Sequence, residues 1–332
     1  MTAVKYIDGN EVAGLATPEE YVDAVREAYA ERGSGADARP RTKLGRDDIP
    51  GMMTGYLAML PEKGYMGGYM YAAGFESEDA WFVTPVFDAA HGELKALIDG
   101  ASMNPFKTGA AGAVAVDELA RRDATDLAVI GTGAQARGQL VTSATVRDIE
   151  TVRVYSPTVE NRESFASDLD EVLDARVSAV ESSDAAITGA DIVITATTAS
   201  DPVIADENIE AGTHITAMGQ YDPSKQEIEP ETIARSKYVP DLRERVHQDA
   251  GSFLHAEDIG LVDEDHIHAE LGEVVQGTAS GRTDPDEITL FDSGGTGIET
   301  IGAASMLYEK AIGADLGTTL EFYPASEAMP GK

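Results

Sequence analysis

Hydrophobic residues recur along the chain with two different periods. Val22, Val25 and Tyr29 stand three and four apart, the spacing of a helix that buries one face. Thr17-Pro18-Glu19-Glu20 just before them supplies a helix start: threonine as N-cap, proline at the first helical position, and a glutamate three residues after the cap to return its hydrogen bond. Gly33-Ser34-Gly35 supplies the stop. Over residues 54–100 the helical period is lost. There Trp81-Phe82-Val83-Thr84-Pro85-Val86-Phe87 and Leu94-Lys95-Ala96-Leu97-Ile98 flank Asp88-Ala89-Ala90-His91-Gly92, which predicts a β-hairpin. Residues 108–119 are rich in alanine and glycine with little bulk, the composition of a closely packed connecting helix.

Beyond residue 124 short apolar runs alternate with polar or helical stretches. The runs are Leu127-Ala128-Val129-Ile130, Val152-Arg153-Val154-Tyr155, Val177-Ser178-Ala179-Val180, Ile192-Val193-Ile194 and His214-Ile215-Thr216-Ala217. Intervals of about 15–20 residues separate the first three, enough for a crossover helix each, so the pattern predicts an α/β fold with a parallel sheet covered on both faces. Tyr238-Val239 and Ile288-Thr289-Leu290-Phe291 add candidate strands, residues 298–314 a helix, and the tail after it ends in Pro and Gly.

Composition narrows the class. The 332 residues suffice for one large domain or two, and 42 % apolar content suffices for a real core. The absence of cysteine excludes a disulfide scaffold, a thiolate metal site and thiol catalysis. No run approaches the ~18 apolar residues of a transmembrane helix, and the opening Met1-Thr2-Ala3-Val4 lacks a signal peptide. With 25 basic against 59 acidic residues the net charge is −34, which opposes binding to nucleic acid or anionic lipid. A soluble, cytoplasmic protein is expected. Only 9 of the basic residues are lysine and the acids are spread evenly, so their repulsion needs counter-ions. That predicts a salt-loving source and loss of folding in dilute buffer.

The sharpest motif is Val129-Ile130-Gly131-Thr132-Gly133-Ala134-Gln135-Ala136, a G-x-G-x-x-A directly after a strand and opening a helix. Gly131 permits the tight turn, Gly133 lets backbone approach a pyrophosphate, and Ala136 lets helix pack on strand. The motif in this setting predicts a Rossmann dinucleotide-binding domain. At the end of the next strand an NAD site places an acid for the ribose 2′-hydroxyl, but this chain has Tyr155-Ser156-Pro157-Thr158, then Asn161-Arg162. Ser156, Thr158 and Arg162 suit a 2′-phosphate, so NADP(H) is favoured over NAD(H).

Several stretches, in order and across most of the chain, resemble the ornithine cyclodeaminase/μ-crystallin family, which includes archaeal alanine dehydrogenases and ketimine reductases. They are Arg39-Pro40-Arg41-Thr42, Asn104-Pro105-Phe106-Lys107-Thr108-Gly109-Ala110-Ala111, the glycine loop, Ala196-Thr197-Thr198, Met218-Gly219, and Ile288-Thr289-Leu290-Phe291-Asp292-Ser293-Gly294-Gly295. The resemblance implies a homodimer of two-domain chains. An α+β substrate-binding and dimerisation domain would span residues 1–115, completed by 306–332, around a Rossmann domain at 116–305. It implies hydride transfer between nicotinamide and the carbon–nitrogen bond of an amino or imino acid. The substrate would sit between the domains, its carboxylate held by cations.

Departures from the family pattern bear on the substrate. The first clamp arginine is kept as Arg41. A lysine of a Gly-x-Lys-like segment falls on Tyr69 or Met70, so that cation is missing. A third position, arginine in the family, is Lys107, which keeps the charge but not the bidentate fork. The cyclodeaminase aspartate maps to Tyr221, with Asp222 one place later, and a one-residue offset aims a side chain elsewhere. Redox chemistry therefore ranks above cyclodeamination.

The expected catalytic residues are Lys107, as proton donor or clamp, Arg41 and Asp222, with Arg41, Tyr69, Met70, Lys107 and Tyr221 lining the substrate pocket. The expected cofactor residues are Gly131, Thr132, Gly133, Ala134, Gln135, Ser156, Thr158, Arg162, Ala196, Thr197, Thr198, Met218, Gly219, Ser293, Gly294 and Gly295. The last three should approach the nicotinamide, because glycine leaves room for a ring against backbone. His91 falls in the hairpin turn. His266-Ile267-His268 has no usual zinc spacing, and no metal is expected. The leading function is an NAD(P)H-dependent amino-acid dehydrogenase or imine reductase, taking a small amino, imino or oxo substrate. A cyclodeaminase-type ammonia lyase and a non-catalytic crystallin-like dinucleotide binder are the alternatives.

Overall fold

The computed structural model describes residues 2–46, 48–76, 79–218 and 221–328. It divides into two compact units, Met1–Lys107 with Thr296–Lys332, and Thr108–Gly295. In chain order the first unit contains β1 (Thr2–Ile7), α1 (Gly9–Val12), α2 (Pro18–Gly33), β2 (Asp37–Ala38), β3 (Thr42–Arg46), β4 (Ile49–Leu60), β5 (Tyr65–Ala73), β6 (Trp81–Asp88) and β7 (Leu94–Asp99). Helix α3 (Asn104–Leu119) carries the chain into the second unit: β8 (Asp126–Ile130), α4 (Ala134–Ser143), β9 (Thr151–Tyr155), α5 (Val159–Asp170), β10 (Arg176–Ala179), α6 (Ser183–Ile187), β11 (Ile192–Ala196), β12 (His214–Met218), α7 (Pro230–Arg235), β13 (Ser236–Pro240), α8 (Arg243–Asp249), α9 (Gly251–Asp258), α10 (Leu271–Gln276) and β14 (Ile288–Ser293). The chain then returns to the first unit through α11 (Gly297–Gly313), β15 (Thr318–Phe322) and α12 (Ala325–Ala328).

In the first unit the strands form one sheet in the order β15-β1-β7-β6-β5-β4-β2, with β3 also paired to β4. The hairpin is formed by β6 and β7, and α2 starts with the expected capping box at Thr17 and Glu20. Two of the strands that the sequence pattern does not single out come from the chain's two ends. β1 pairs parallel with β7, and the polar β15 pairs antiparallel with β1. Helix α11 lies against β4, β5 and β6 and packs on α2, where Gly302 admits Ala24 and Ala28 so closely that a Cβ would stand 2.8 Å from the methyl of Ala28.

In the second unit seven strands run parallel in the order β10-β9-β8-β11-β12-β14-β13. Alternate residues feed two cores, Ala128, Ile130 and Val193 on one face and Leu127, Val129, Ile192 and Ile194 on the other. Burial on both faces explains why these strands read as unbroken apolar runs. The units divide at 107/108 and 295/296, not at the expected 115/116 and 305/306. From Thr108 onward α3 packs on α4, where a Cβ on Gly109 would lie 2.4 Å from the Gly138 carbonyl oxygen. A Cβ on Gly297, at the start of α11, would lie 2.5 Å from the β4 backbone at Leu57. Close packing at those two glycines assigns each helix earlier than composition suggests.

Candidate functional site

The expected cofactor residues of the second unit collect at the carboxyl ends of its strands. The strand order reverses beside β8, between β9 and β11, which is where open α/β sheets bind ligands. Gly131 ends β8 with φ +115°, and a Cβ there would lie 2.2 Å from the Ala196 carbonyl oxygen at the end of β11. Gly133 is constrained by nothing of its own unit: no atom lies within 4 Å of where its Cβ would be. It is also the N-cap of α4, which has no side-chain cap and no acid in its first turn. The first amides of α4 therefore keep their donors and the positive end of the helix dipole. Gln135 has a buried side-chain oxygen with no partner, an acceptor that offers a phosphate nothing. The glycine turn and the free amides of α4 fit a dinucleotide pyrophosphate.

At the end of β9 the Arg162 guanidinium donates to the Ser156 carbonyl at 2.9 Å and lies 5.8 Å from the Tyr155 ring centre. Thr158 caps α5 without spending its hydroxyl on the helix. On β11 the loop of Ala196, Thr197 and Thr198 is fixed from behind. Glu227 accepts the Thr197 amide at 2.8 Å, the Thr197 hydroxyl at 2.6 Å and the Thr195 hydroxyl at 3.0 Å. Burial pushes the Glu227 carboxyl up to about 7 against those hydrogen bonds. Met218 ends β12 in register with Ala196 and Ser293, while its expected companion Gly219 lies outside the described residues.

In the Ser293-Gly294-Gly295 segment one glycine makes room within the unit itself. The space left by the missing Cβ of Gly294 is filled from within the unit, since that Cβ would stand 2.6–2.7 Å from Arg245. Arg245 is fully buried among Asp241 (2.8 Å), Asp249 (2.8 Å) and Asp292 (2.6 Å). Asp241 in turn accepts the amides of Gly294 and Gly295 at 2.8 and 2.9 Å. Glycine is required at 294 to seat a guanidinium. Tyr221 is exposed and Asp222 is engaged in a turn, accepting from the amide and hydroxyl of Ser224 at 3.0 and 2.7 Å. His266 and His268 lie against backbone carbonyls and His91 sits in the hairpin turn against Asp88. Among the described residues no group of His, Asp and Glu is arranged to hold a metal, and no helix is long and apolar enough to cross a membrane.

The first unit brings Arg41, Tyr69 and Lys107 together. Tyr56 and Tyr69 are direct cross-strand partners on β4 and β5, and Thr54 stands opposite Tyr71. Their rings form a box with Phe82, closed by Gly100, where a Cβ would collide with Tyr69 at 2.6 Å. The ammonium of Lys107 lies 4.9 Å from the Tyr69 ring centre and 5.4 Å from that of Tyr56, within cation–π range. It donates to the Tyr56 hydroxyl and to Glu299, both at 3.2 Å. Arg41 lies 5.6 Å from the Tyr56 ring centre and donates to the Tyr71 hydroxyl at 3.3 Å. Burial works against the Lys107 ammonium, but the oxygens of Tyr56 and Glu299 outweigh it and hold its pKa above the ordinary lysine value.

Met70 does not belong to this box. Successive residues of a strand face opposite sides, and Met70 is 44 % exposed on the outer face of the sheet. Sequence reasoning missed Tyr56, Tyr71 and Glu299. The first two had a signal: the turn at Pro61-Glu62-Lys63-Gly64 folds residue 56 onto residue 69. Glu299 had none, lying 192 residues from its partner.

The family profile of ornithine cyclodeaminase/mu-crystallin proteins matches residues 8–315. The chain belongs to this family. A Δ1-pyrroline-2-carboxylate reductase of Bacillus cereus is 37 % identical over 236 residues, 71 % of this chain and 72 % of that relative. The Thermococcus litoralis Δ1-pyrroline-2-carboxylate reductase, solved with NADH and L-proline, superposes with TM-score 0.91 at 32 % identity, covering 96 % of this chain and 100 % of that one. An archaeal alanine dehydrogenase dimer with bound NAD gives TM-score 0.91 at 29 % identity, over 97 % and 100 %. These family members share the Rossmann sheet and the mixed α/β class described above.

Proposed function

We propose that the protein is an NAD(P)H-dependent oxidoreductase of the carbon–nitrogen bond, reducing a small cyclic or open imino acid, or aminating a 2-oxo acid reductively. The observation that carries this reading is the buried ammonium of Lys107 in a box of tyrosine rings with Arg41, a site for a small planar anion, in a chain that also presents an uncapped Rossmann loop. A bound nicotinamide dinucleotide supplies or accepts the hydride. Arg41 and Lys107 hold the substrate carboxylate, and Tyr69 and Phe82 form an apolar wall that excludes water. Lys107 acts as clamp, because two of its three N–H donors are spent on Tyr56 and Glu299 and its pKa is raised. Asp222, occupied in its turn, contributes no step to this mechanism.

Finer assignments belong to the same reading. NADPH is the preferred cofactor, supported by Ser156, Thr158 and Arg162 at the end of β9 and the lack of an acid there. The chain acts as a homodimer in the cytoplasm, its first unit serving as substrate and dimer domain. The outer sheet face supports this: Leu44, Leu57 and Trp81 are 64, 60 and 75 % exposed there, an apolar surface that a second copy would cover. The charge of −34 supports a salt-rich cell, so unfolding at low salt and refolding in molar KCl are expected by circular dichroism.

The decisive assay is NADPH and NADH oxidation in molar KCl with a cyclic imine, and with 2-oxo acids plus ammonia or methylamine. Oxidation that requires the imine, or both amine and oxo acid, is expected. Ammonia release from ornithine without net cofactor change would replace the reductase reading with the lyase.

A further inference from the structure

We propose that the Tyr56 hydroxyl is the acid that protonates the substrate nitrogen, an assignment that rests on the reductase function proposed above. Reduction of an imine needs a proton at nitrogen as well as a hydride at carbon, from a donor within about 3 Å or one water away. The box around Lys107 contains three phenols, and their hydrogen bonds separate them. Tyr69 donates its proton to the Gly100 carbonyl at 3.4 Å, and burial holds that phenol protonated. Tyr71 accepts from Arg41 at the rim of the box. Tyr56 accepts from Lys107 at 3.2 Å and, among the described residues, donates to nothing. An ammonium on the phenol oxygen turns the O–H away from the lysine, leaving the proton of Tyr56 uncommitted.

The other cations are poor donors. An arginine does not give up a proton in proteins, and Lys107 is held charged by the oxygens around it. Both cations lie close to Tyr56: its ring centre is 5.6 Å from the Arg41 guanidinium and 5.4 Å from the Lys107 ammonium. As hydride reaches the imine carbon, the C=N π pair moves onto nitrogen and takes the Tyr56 proton, leaving an amine and a phenolate. The phenolate forms against an ammonium already in contact, in surroundings of low dielectric where the attraction is strongest. Water returns the proton before the next turnover. In the oxidative direction the phenolate accepts the proton from the amine. Glu299, bound to the other side of Lys107 and capped by the Thr296 amide at 2.6 Å, is a positioning residue that keeps the ammonium on Tyr56.

Two measurements test this. Tyr56→Phe removes only the hydroxyl; kcat should fall about 100-fold or more, with the KM of the carboxylate substrate within about threefold, the melting temperature kept and dinucleotide affinity unchanged. The second readout needs no turnover. With dinucleotide bound, wild-type protein should bind tetrahydro-2-furoate, whose ring oxygen accepts at the place of the nitrogen, about tenfold more tightly than cyclopentanecarboxylate, as one hydrogen bond allows. Tyr56→Phe should bind the two alike. A wild-type protein that does not distinguish the ligands overturns the assignment even if the variant fails to fold. A folded variant that keeps kcat within about threefold, or still distinguishes the ligands, overturns it too. Wild-type turnover with an unimpaired variant would leave the reductase reading intact and remove Tyr56 from it; a wild type that reduces no imine removes both.

Discussion

Lys107 in the first unit and Arg245 in the second are both fully buried cations, and the two are neutralised in opposite ways. Arg245 in the second unit is met by Asp241, Asp249 and Asp292, and Asp292 also accepts the Tyr238 hydroxyl at 2.5 Å. Lys107 in the first unit meets one carboxylate, Glu299, and otherwise the faces of two tyrosine rings and one hydroxyl. A guanidinium surrounded by three acids has no attraction left for a ligand, and its work is to hold backbone. An ammonium with one acid and two π-faces retains field in the direction of the rings. Burial alone therefore does not tell whether a cation has attraction left for a ligand; the count and kind of its partners does.

Four substitutions test that contrast. Arg245→Met should cost about 3–5 kcal/mol by chemical denaturation, because three buried acids lose their cation together; a loss below about 1 kcal/mol would show that those acids are protonated at no cost. Glu227→Gln probes a buried acid held by hydroxyls and an amide. Its carboxyl titrates at about 7 in the folded protein against 4.5 unfolded, so wild type has its full stability below the unfolded value and loses it as pH rises through the folded one. The variant escapes that loss, so its melting temperature relative to wild type should rise from pH 5 to pH 8, by up to about 3 kcal/mol of linkage. A flat difference would mean that Glu227 is ionised at neutral pH without penalty. Lys107→Met should raise the KM for a carboxylate substrate about 30- to 100-fold, as loss of one charge-assisted hydrogen bond does, while costing less stability than Arg245→Met. Arg162→Ala is the mildest, weakening NADPH about tenfold relative to NADH by fluorescence titration; equal affinities would place the 2′-phosphate elsewhere.

How much of this is visible in the sequence depends on whether the physics is local. Gly131, Gly133 and Ala136 sit within one turn and one helix start, so spacing alone reveals the loop. The capping box at Thr17 and Glu20 is local in the same sense, and so are the central strands of the second unit, buried on both faces. The tyrosine box is not. It requires the register of β4 on β5, and reading Tyr69 and Met70 as neighbours in one pocket overlooks the alternation that sends them to opposite faces. Gly294 stands out in the sequence for its missing side chain, but that the group filling the space comes from α8 is not local information. β15 was missed because Thr318-Thr319-Leu320-Glu321-Phe322 buries little and owes its conformation to β1, more than 300 residues earlier.

The first unit is built from both ends of the chain, and this sets an order on synthesis. At about 5–20 residues per second, the ribosome makes the second unit, Thr108–Gly295, after Lys107 has emerged and before Glu299 exists. The earlier strands wait through that interval without α11, their tyrosines and their lysine facing water. The tyrosine box thus closes only after the second unit has been made, and a chain truncated anywhere before residue 299 leaves it open.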